Sequence, residues 1–392
     1  MKKMKKRSII MGKNRLFRAS VFATLLSFIL LPAAAHAANV TVGCPGGSGG
    51  TYASITDALN AIGQTGPSTI TVTGTCQENV SLNNARSITI VSGPSGASVV
   101  GPLDTDTFDI SLSQDIHLVN LDISGTFSTT GNGGGAGVSI GGASGVQILG
   151  CNIHDNQAAG VVANTSMVSL QGTTIQYNTP NDGLELNGNS QGSVTGSIFQ
   201  YNGSLTGSTN GGHSEGIFAG GNSQVGFFGR GSLVQYNAER GIAATGLSQV
   251  LLGGRGTIIQ GNGTKGILVI EGSHLQVNSP GTVIQDNGGA CPLDPTCGGI
   301  FAAQDSTVSL TGTISGNHGS GVSVAQGSNV GLHGATVTNN TGDGVHIQWL
   351  SIGDFGSVNT ITGNGGASIF CTGRSFALGN LSTFSNVRCG EN

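Results

Sequence analysis

The sequence predicts an all-β, single-domain solenoid, a parallel β-helix of about 12 coils with a short N-terminal capping helix. Three observations predict this fold. A set of four marker residues recurs every 22 to 33 residues, apolar residues alternate between the markers, and Gly and Asn interrupt every stretch long enough for a helix. A period of this size is typical of stacked units that share one continuous core.

The four markers keep the same order in nine units between Gly137 and Asn364. A Gly opens each unit, a Ser follows, a second Gly comes next and an Asn closes the unit, as in Gly160, Ser166, Gly172 and Asn178. We expect the Gly residues to occupy corners where φ is positive. We expect Asn, which also tolerates the left-handed region, and Ser to form ladders of side-chain hydrogen bonds from coil to coil.

The segments between the markers have the period of short strands. Val168-Ser-Leu170 and Thr174-Ile175-Gln place an apolar residue at every second position, which is the pattern of a strand with one buried face. Three such strands and their turns fill one unit. A helix of about ten residues does not fit between these Gly and Asn positions.

Residues 1–37 read as a secretory signal, because a basic stretch and an apolar run precede Ala35-His36-Ala37. We expect cleavage after Ala37, a secreted or periplasmic protein, and no membrane span in the mature chain. Eight of the 15 Lys and Arg residues lie in this signal, so the mature charge is 7 − 19 = −12. This charge opposes binding to nucleic acid, or to any other polyanion, unless a cation or a local basic patch intervenes. Oligomeric state is not predicted.

Seven cysteines in an exported chain favour disulfides. Their positions suggest pairs of Cys44 with Cys76, Cys291 with Cys297, and Cys371 with Cys389. Cys151 is left over beside apolar residues and is expected to be a packed free thiol. A zinc site is the alternative for the paired cysteines, but no repeated CxxC spacing supports it.

The ends of the solenoid need caps that cover bare strand edges. Residues 38–136 are predicted to form an N-terminal cap and irregular first coils, and the helical spacing of Tyr52–Ile62 indicates a capping helix. Strands are expected at Thr69–Val72, Ser87–Val91 and Ile116–Ile123. Regular coils follow over 137–370, and 371–392 should cap the other end.

The chain resembles the pectin-lyase-like, right-handed parallel β-helix superfamily. Tyr52-Ala-Ser-Ile-Thr-Asp-Ala-Leu is similar to its capping helix, Gly74-Thr-Cys-Gln-Glu-Asn-Val to its first coil, and Asn-x-x-x-Gly-Val/Ile to its repeat. The resemblance implies a right-handed coil. It implies no single activity, because members include polysaccharide lyases, hydrolases, esterases, epimerases and proteins without catalysis.

One outward face is unusually apolar for a solvated surface. The strand after each marker Gly presents Phe218, Ala243, Leu268 and Phe301 on successive coils, and the Asn-to-Gly gap grows to 14 residues before Phe218 and to 12 before Phe301. We expect each long loop to fold over its neighbouring Phe. Ala243 and Leu268 would then floor a cleft on the order of 14 Å wide.

Charged residues next to the marker Gly are expected to line the lip of this cleft. In superfamily enzymes that act on sugars, this face and corner form the substrate groove. The predicted catalytic set, which could supply a general acid, a general base and a charge clamp, is Asp182, Glu185, Glu215, Arg240 and Lys265. The predicted substrate-binding set is His213, Glu239, Ala243, Leu268, Phe218 and Phe301.

The motifs of individual enzyme groups match only in part. Asn181-Asp182-Gly183 is similar to a polygalacturonase segment, which would make Asp182 a catalytic acid, but Ser214-Glu215 stands where an Asp pair is expected. The esterase and alginate epimerase segments are missing. The function expected is therefore binding or processing of a polysaccharide, lyase-like or glycosidase-like. The alternative is a non-catalytic surface or protein-interaction β-helix, with these charges as solvated ion pairs.

No metal site is predicted. The acids Asp104, Asp106 and Asp109 leave calcium open as a ligand, but their spacing lacks the pattern of a calcium loop. His333 and His346 have no third ligand at a clear spacing. Trp349, the sole Trp, is expected to stack on a sugar ring or to pack against the next coil.

Overall fold

The computed structural model describes residues 37–125, 135–205, 214–291, 294, 296–356 and 358–390. Residues 36–392 form one compact unit. The predicted signal sequence up to residue 36 and His213 lie outside the described residues. None of the described helices is long and apolar enough to cross a membrane.

The strands of the described chain form two parallel sheets. One, called here the 13-strand sheet, takes one strand from each coil, the strand that follows the first marker Gly. Its strands are Val80–Asn83, Phe108–Ser111, Val138–Gly141, Val161–Asn164, Leu184–Asn187, Ile217–Ala219, Arg240–Ala244, Lys265–Val269, Gly298–Ala302, Ser320–Val324, Val345–Ile347, Ile369–Cys371 and Val387–Arg388.

The second, the 24-strand sheet, takes two strands from each regular coil. One set of strands begins just after the Ser corner of each coil. These strands are Gln114–Val119, Gly145–Leu149, Met167–Gln171, Gln191–Thr195, Gln224–Phe228, Gln249–Leu252, His274–Val277, Thr307–Leu310, Asn329–Leu332, Ile352–Phe355 and Phe376–Gly379. The strands before the Asn corner are Asp122–Ser124, Asn152–His154, Thr174–Gln176, Ile198–Gln200, Leu233–Gln235, Ile258–Gln260, Val283–Gln285, Thr313–Ser315, Thr336–Thr338 and Thr360–Thr362. Ala38–Gly43, Thr65–Gln77 and Arg86–Val100 complete the sheet.

The predicted alternation is confirmed by the burial of the strands. In Leu184–Asn187 the two Leu side chains are buried and the two polar ones are not. Leu184 pairs with Val161 on one side and with Ile217 on the other, so each inward side chain lies on its counterpart in the next coil. This stacking forms one apolar core that runs through the regular coils. The fold is therefore the predicted parallel β-helix.

The Asn ladder is confirmed and lies inside the solenoid. Each ladder Asn donates Nδ2–H to Oδ1 of the next, at 2.8 to 3.0 Å, from Asn156 to Asn364. Positive φ belongs to the residue before each ladder Asn, as at Tyr177 and Tyr201, and not to the Asn itself.

The expectation that the first marker Gly has positive φ is wrong. These residues are not among those with positive φ. A Cβ on Gly160 would lie 2.8 Å from Asn178 Nδ2 and 2.8 Å from the carbonyl oxygen of Gly183. Glycine is needed there because the next coil and the Asn ladder leave no space. The second marker Gly does have positive φ in several coils, as at Gly172 and Gly231.

The Ser column forms the predicted second ladder. The hydroxyl of each Ser accepts a hydrogen bond from the backbone N–H of the preceding Ser at 2.9 to 3.2 Å, from Ser113 to Ser328. These bonds satisfy backbone donors that the turn leaves without a strand partner. Both ladders therefore stabilise the corners of the coils.

The N-terminal cap contains the helix Ile55–Ile62, three residues shorter than the predicted Tyr52–Ile62. Ser54 ends the extended segment and accepts the Asp57 N–H at 3.0 Å, as an N-cap does. Glu78 accepts the Ile55 and Thr56 N–H groups at 2.8 and 2.9 Å, which holds the helix on the first coil. The first coils differ from the expectation in having long strands, Thr65–Gln77 and Arg86–Val100, that continue around a corner.

The three predicted disulfides are present: Cys44–Cys76, Cys291–Cys297 and Cys371–Cys389. Three disulfides fit an extracytoplasmic protein. Cys151 is a buried free thiol, as predicted, and burial raises its pKa to about 11. A short 3-10 helix, Leu381–Thr383, lies in the C-terminal segment that Cys389 ties back to the last coils.

Candidate functional site

The outward column of the 13-strand sheet has the register expected from the sequence. Glu185 pairs with Phe218, Phe218 with Ala243, Ala243 with Leu268, and Leu268 with Phe301. The pairing places one side chain per coil in a line parallel to the solenoid axis. The predicted substrate-binding residues Phe218, Ala243, Leu268 and Phe301 are therefore vertical neighbours.

These outward residues form a second apolar cluster, separate from the main core. Phe218 is 6% exposed, Ala243 is 0% exposed and Leu268 is 7% exposed. Ile270 and Phe301 are partly buried and pack against them. The predicted floor is therefore covered over most of its area, and Phe301 is more exposed than Phe218, Ala243 and Leu268.

Four charged residues lie in line on four successive coils, next to this cluster. The backbone N–H of Gly183 donates to the Glu215 carbonyl at 3.0 Å, and that of Gly216 donates to the Arg240 carbonyl at 3.0 Å. Arg240 then pairs with Lys265 in the sheet. Since Asp182 immediately precedes Gly183, the order along the lip is two acids followed by two bases.

The two acids form a buried pair. Asp182 is 1% exposed and Glu215 is 0% exposed. The Glu215 N–H donates to Asp182 Oδ1 at 2.7 Å. Burial, the Glu215 carboxylate and the more distant Glu185 all raise the pKa of Asp182 well above its ordinary value. Asp182 therefore holds its proton more tightly than an exposed aspartic acid does.

Arg240 neutralises the Glu215 carboxylate. Its Nη1 donates to Glu215 Oε1, and its Nη2 lies 3.4 Å from Glu239 Oε2. The Nε–H of Arg240 is buried without a hydrogen-bond partner in the described part of the chain. Arginine stays charged at any working pH, so this guanidinium is a fixed cation with one unused donor.

Lys265 is the second cation of the lip. Its Nζ lies 5.6 Å from the centroid of the Phe301 ring, a cation–π geometry. Burial and the Arg240 charge lower the pKa of Lys265, against the opposing charges of Asp294 and Glu239. Lys265 therefore stands in an environment in which an added negative charge would be favourable.

A cavity of about 310 Å³ opens beside these two cations. Two aromatic rings face it, those of Phe301 and Trp349, and Trp349 is 54% exposed. The remaining lining is Leu268, Ile270, Ala303 and the amides of Gln304 and Gln326. The space thus combines cations, amides and aromatic surface in one place.

Sequence reasoning missed Gln304 and Gln326. Both follow the end of an outward strand by two residues, and Trp349 holds the same position one coil later. Gln304, Gln326 and Trp349 fall in one column when residues are counted from the end of each outward strand as well as from its start. The sequence indicates sugar stacking as one role for Trp349, but it does not predict that this residue lies near Arg240 and Lys265.

Glu185 lies on the same column but outside the cavity. Its Oε1 accepts a hydrogen bond from Asn187 Nδ2 at 2.7 Å. Its charge contributes to the raised pKa of Asp182. Glu239 contacts Arg240 and lies at the opposite edge from Trp349. Residue 213, the predicted His of the first long loop, cannot be placed because it lies outside the described residues.

One cluster of three or more His, Cys, Asp or Glu ligand atoms is found among the described residues: Cys44, Cys76 and Glu78. The two cysteines form a disulfide and Glu78 caps the helix, so this cluster does not fit a metal ion. Of the acids considered for calcium, Asp106 accepts the Ala136 N–H at 2.7 Å. Burial and the Asp106 charge raise the pKa of Asp109.

The comparisons with known proteins agree with the strand geometry. A family model described as a right-handed β-helix region matches residues 111–279. No curated protein sequence matches the chain.

Solved structures that resemble the chain have low sequence identity. The A-module of a mannuronan C-5 epimerase from Azotobacter vinelandii is 14% identical, with a TM-score of 0.45 over 83% of this chain and 93% of that one. A mannuronic acid-specific family 6 polysaccharide lyase from human gut microbiota is 10% identical, with a TM-score of 0.41 over 83% of each chain. A surface adhesin of Streptococcus pneumoniae is 12% identical, with a TM-score of 0.41 over 81% of this chain and 87% of that one.

The parallel register of the strands and the family match to 111–279 give the same fold. This chain is a right-handed parallel β-helix protein.

Proposed function

We propose that this protein is an exported β-helix that binds a polysaccharide at the outward face of the 13-strand sheet, and that the bound chain carries acidic sugars. The observation that carries the proposal is the cavity between Arg240 and Trp349, where two cations, two aromatic rings and two amides meet. No other part of the predicted site combines accessible charge with accessible apolar surface in this way among the described residues.

The two cations favour a carboxylate ligand. The Arg240 side chain is 27% exposed and lines the cavity, so a ligand carboxylate can pair with the accessible part of its guanidinium. Lys265 is destabilised as a cation by burial and by Arg240, so an anion would also stabilise its charged form. A neutral ligand would give neither cation a partner of opposite charge.

The aromatic rings and amides favour a sugar as the carrier of that carboxylate. A pyranose ring presents apolar C–H faces and polar edges, and Trp349 with Phe301 offers aromatic surface of matching character. Gln304 and Gln326 supply both donors and acceptors for hydroxyl groups. The net charge of −12 expected for the mature chain opposes polyanions in general, so binding depends on this local cationic patch.

Catalysis is a second candidate function, favoured by the raised pKa of Asp182. A carboxyl group with a raised pKa beside a second carboxyl group is a pairing that suits general acid–base chemistry. In this hypothesis Asp182 donates a proton to the departing sugar oxygen, and the Glu215 carboxylate, paired with Arg240, takes a proton from the water that bonds to the sugar carbon. Glu185 and Lys265 complete the proposed set.

The burial of both acids favours binding without turnover. With exposures of 1% and 0%, neither Asp182 nor Glu215 meets a ligand that fills the Arg240–Trp349 cavity in the conformation described. A non-catalytic surface protein that binds a glycan through its two cations and Trp349 is consistent with this burial of the acids. We therefore place binding first and cleavage second.

Calorimetric titration with acidic oligosaccharides tests the binding proposal. Hexamers of galacturonate and of mannuronate serve as acidic probes, and cellohexaose serves as the neutral one. We expect an acidic hexamer to bind and Lys265→Gln to weaken its binding about tenfold, since a partly buried cation is removed. Arg388→Gln is the matched control, because Arg388 lies in the same outward column at its far end. Equal binding by both variants would reject the site.

Product analysis tests the cleavage candidate. Wild-type protein incubated with the acidic polymers should release reducing ends or unsaturated sugars if the acids are catalytic. Asp182→Asn and Glu215→Gln should each abolish that release while acidic hexamers still bind. Binding without any release would leave the protein a binding module, and release that survives both substitutions would place catalysis elsewhere.

A further inference from the structure

A second concave surface lies on the outer side of the 24-strand sheet, on strands that contribute nothing to the Arg240–Trp349 cavity. It has a volume of about 510 Å³. Its principal lining is Gln147, Met167, Ser193, Gly226, Phe228 and Leu251. We call it the amide groove.

Strand register explains why the surface is hollow. Gln147 pairs with Ser169, Ser169 with Ser193, Ser193 with Gly226, and Gly226 with Leu251. Ser169, Ser193 and Gly226 are therefore three small residues on successive coils. They lie between the longer side chains of Gln147 and Leu251. The depression extends over about three coil steps, on the order of 14 Å.

Two exposed apolar side chains border the floor. Met167 is 53% exposed and Phe228 is 47% exposed. A Cβ on Gly226 would lie 2.6 Å from Cε2 and 2.6 Å from Cζ of Phe228. The Phe228 ring therefore lies across Gly226 against the sheet, and glycine is what permits this position. A ring that lies along a sheet surface is an apolar platform for a flat ligand.

The other wall is a row of amides. Gln191 pairs with Gln224, and the Gln224 Nε2–H donates to Gln249 Oε1 at 3.4 Å. Met167 pairs with Gln191, so it belongs to this same column. The hydroxyls of Ser169 and Ser193 lie on the floor between this column and Phe228. The groove thus has an aromatic ring on one side, a column of Met167 and amides on the other, and hydroxyls between them.

Charge separates this groove from the cationic cavity. Its lining contains no Lys or Arg, and its one ionisable residue is Asp115. Hydrogen bonds from His117, at 2.8 Å, and from Ser87 lower the pKa of Asp115. A polyanion would meet the Asp115 carboxylate here and would find no Lys or Arg in the lining. The electrostatics fit an uncharged ligand.

We propose that the amide groove binds a neutral glycan of about three sugar units, the length that fits a floor on the order of 14 Å. One apolar sugar face lies on Phe228 and Met167, and the hydroxyl edges bond to Gln191, Gln224 and Ser193. The proposal does not depend on the acidic ligand of the 13-strand sheet. The protein would then hold two chemically different glycan segments on two of its outer surfaces.

Calorimetric titration of the full mature chain with neutral hexasaccharides tests the proposal. The probes are cellohexaose, laminarihexaose, xylohexaose, mannohexaose and maltohexaose. We expect at least one to bind the wild type, and Phe228→Ala to weaken that binding about threefold to tenfold, as expected for loss of an aromatic stacking contact. Ser193→Phe, which fills the floor, should abolish it.

Phe376→Ala is the matched control, because Phe376 is an exposed Phe on the same sheet outside the groove. It should bind like the wild type. Binding should also leave the fluorescence of Trp349 unchanged, because the sole Trp lies at the other site. The proposal is overturned if no probe binds, if both groove variants bind like the wild type, or if neutral binding is lost with Lys265→Gln. None of these results bears on acidic binding.

Discussion

At the residue scale, the main departure from expectation is the burial of Asp182 and Glu215. Charged residues at the corner of a solvated solenoid are expected to be exposed, and the sequence predicted their alignment but not their depth. Asp182 and Glu215 contact each other and Arg240, beside a second apolar cluster of Phe218, Ala243 and Leu268 outside the core. Alternation along one strand cannot reveal a cluster that forms between coils.

Asp182→Asn should change how stability depends on pH. Because the folded state holds the Asp182 proton more tightly than the unfolded chain, this group's contribution is present below the ordinary pKa of Asp and is lost as pH rises through the raised folded pKa. Asn keeps an amide that can donate to Glu215 but does not titrate. Urea unfolding from about pH 4 to about pH 8 should show the variant gaining relative to the wild type as pH rises. A constant difference would contradict the assignment of a raised pKa to Asp182.

Arg240→Met should destabilise the fold by about 3 kcal/mol, because it leaves the Glu215 carboxylate buried without its cation. The free energy of unfolding in urea measures the effect. Arg255→Met is the control, since Arg255 is exposed, and should change stability by no more than about 0.5 kcal/mol. Equal effects of the two substitutions would show that the ion pair does not stabilise the protein.

At the element scale, the period of the sequence was enough to predict the strands, the register of the outward column and both ladders. Because each marker repeats in every coil, the strands and ladder positions of one coil predict those of the next. The role of the first marker Gly was wrong, since a single sequence cannot distinguish a glycine required for positive φ from one required for space. The first coils, where Thr65–Gln77 and Arg86–Val100 replace the regular pattern, were predicted least well.

Two glycine substitutions separate the two roles. Gly216 does not have positive φ, but a Cβ there would lie 2.6 Å from Asn237 Nδ2 and 2.8 Å from the Gly241 carbonyl oxygen. Gly216→Ala should therefore cost about 3 kcal/mol through displacement of the ladder. Gly334 has φ +81° with nothing within 4 Å of its Cβ position, so Gly334→Ala should cost about 1 kcal/mol from backbone strain alone. Thermal or urea unfolding in which Gly334→Ala is the more damaging would contradict the steric explanation.

At the scale of the whole molecule, the solenoid converts sequence repeats into extended surfaces of different chemistry. The 13-strand sheet carries the charged lip and the cavity at Trp349, and the 24-strand sheet carries the amide groove. The sequence placed Arg240, Lys265 and Phe301 together but left Gln304, Gln326 and Trp349 apart. Those three lie beyond the strand ends, where turn geometry decides which side chains turn back over the sheet.

The fluorescence of Trp349 during titration with an acidic oligosaccharide tests the central claim most directly, because Trp349 is the only Trp in the sequence and lines the proposed cavity. We predict a saturable change in its emission with galacturonate or mannuronate hexamers, a weaker response in Lys265→Gln, and none with cellohexaose. Acidic hexamers that bind by calorimetry without altering this emission, or that do not bind at all, would contradict the account.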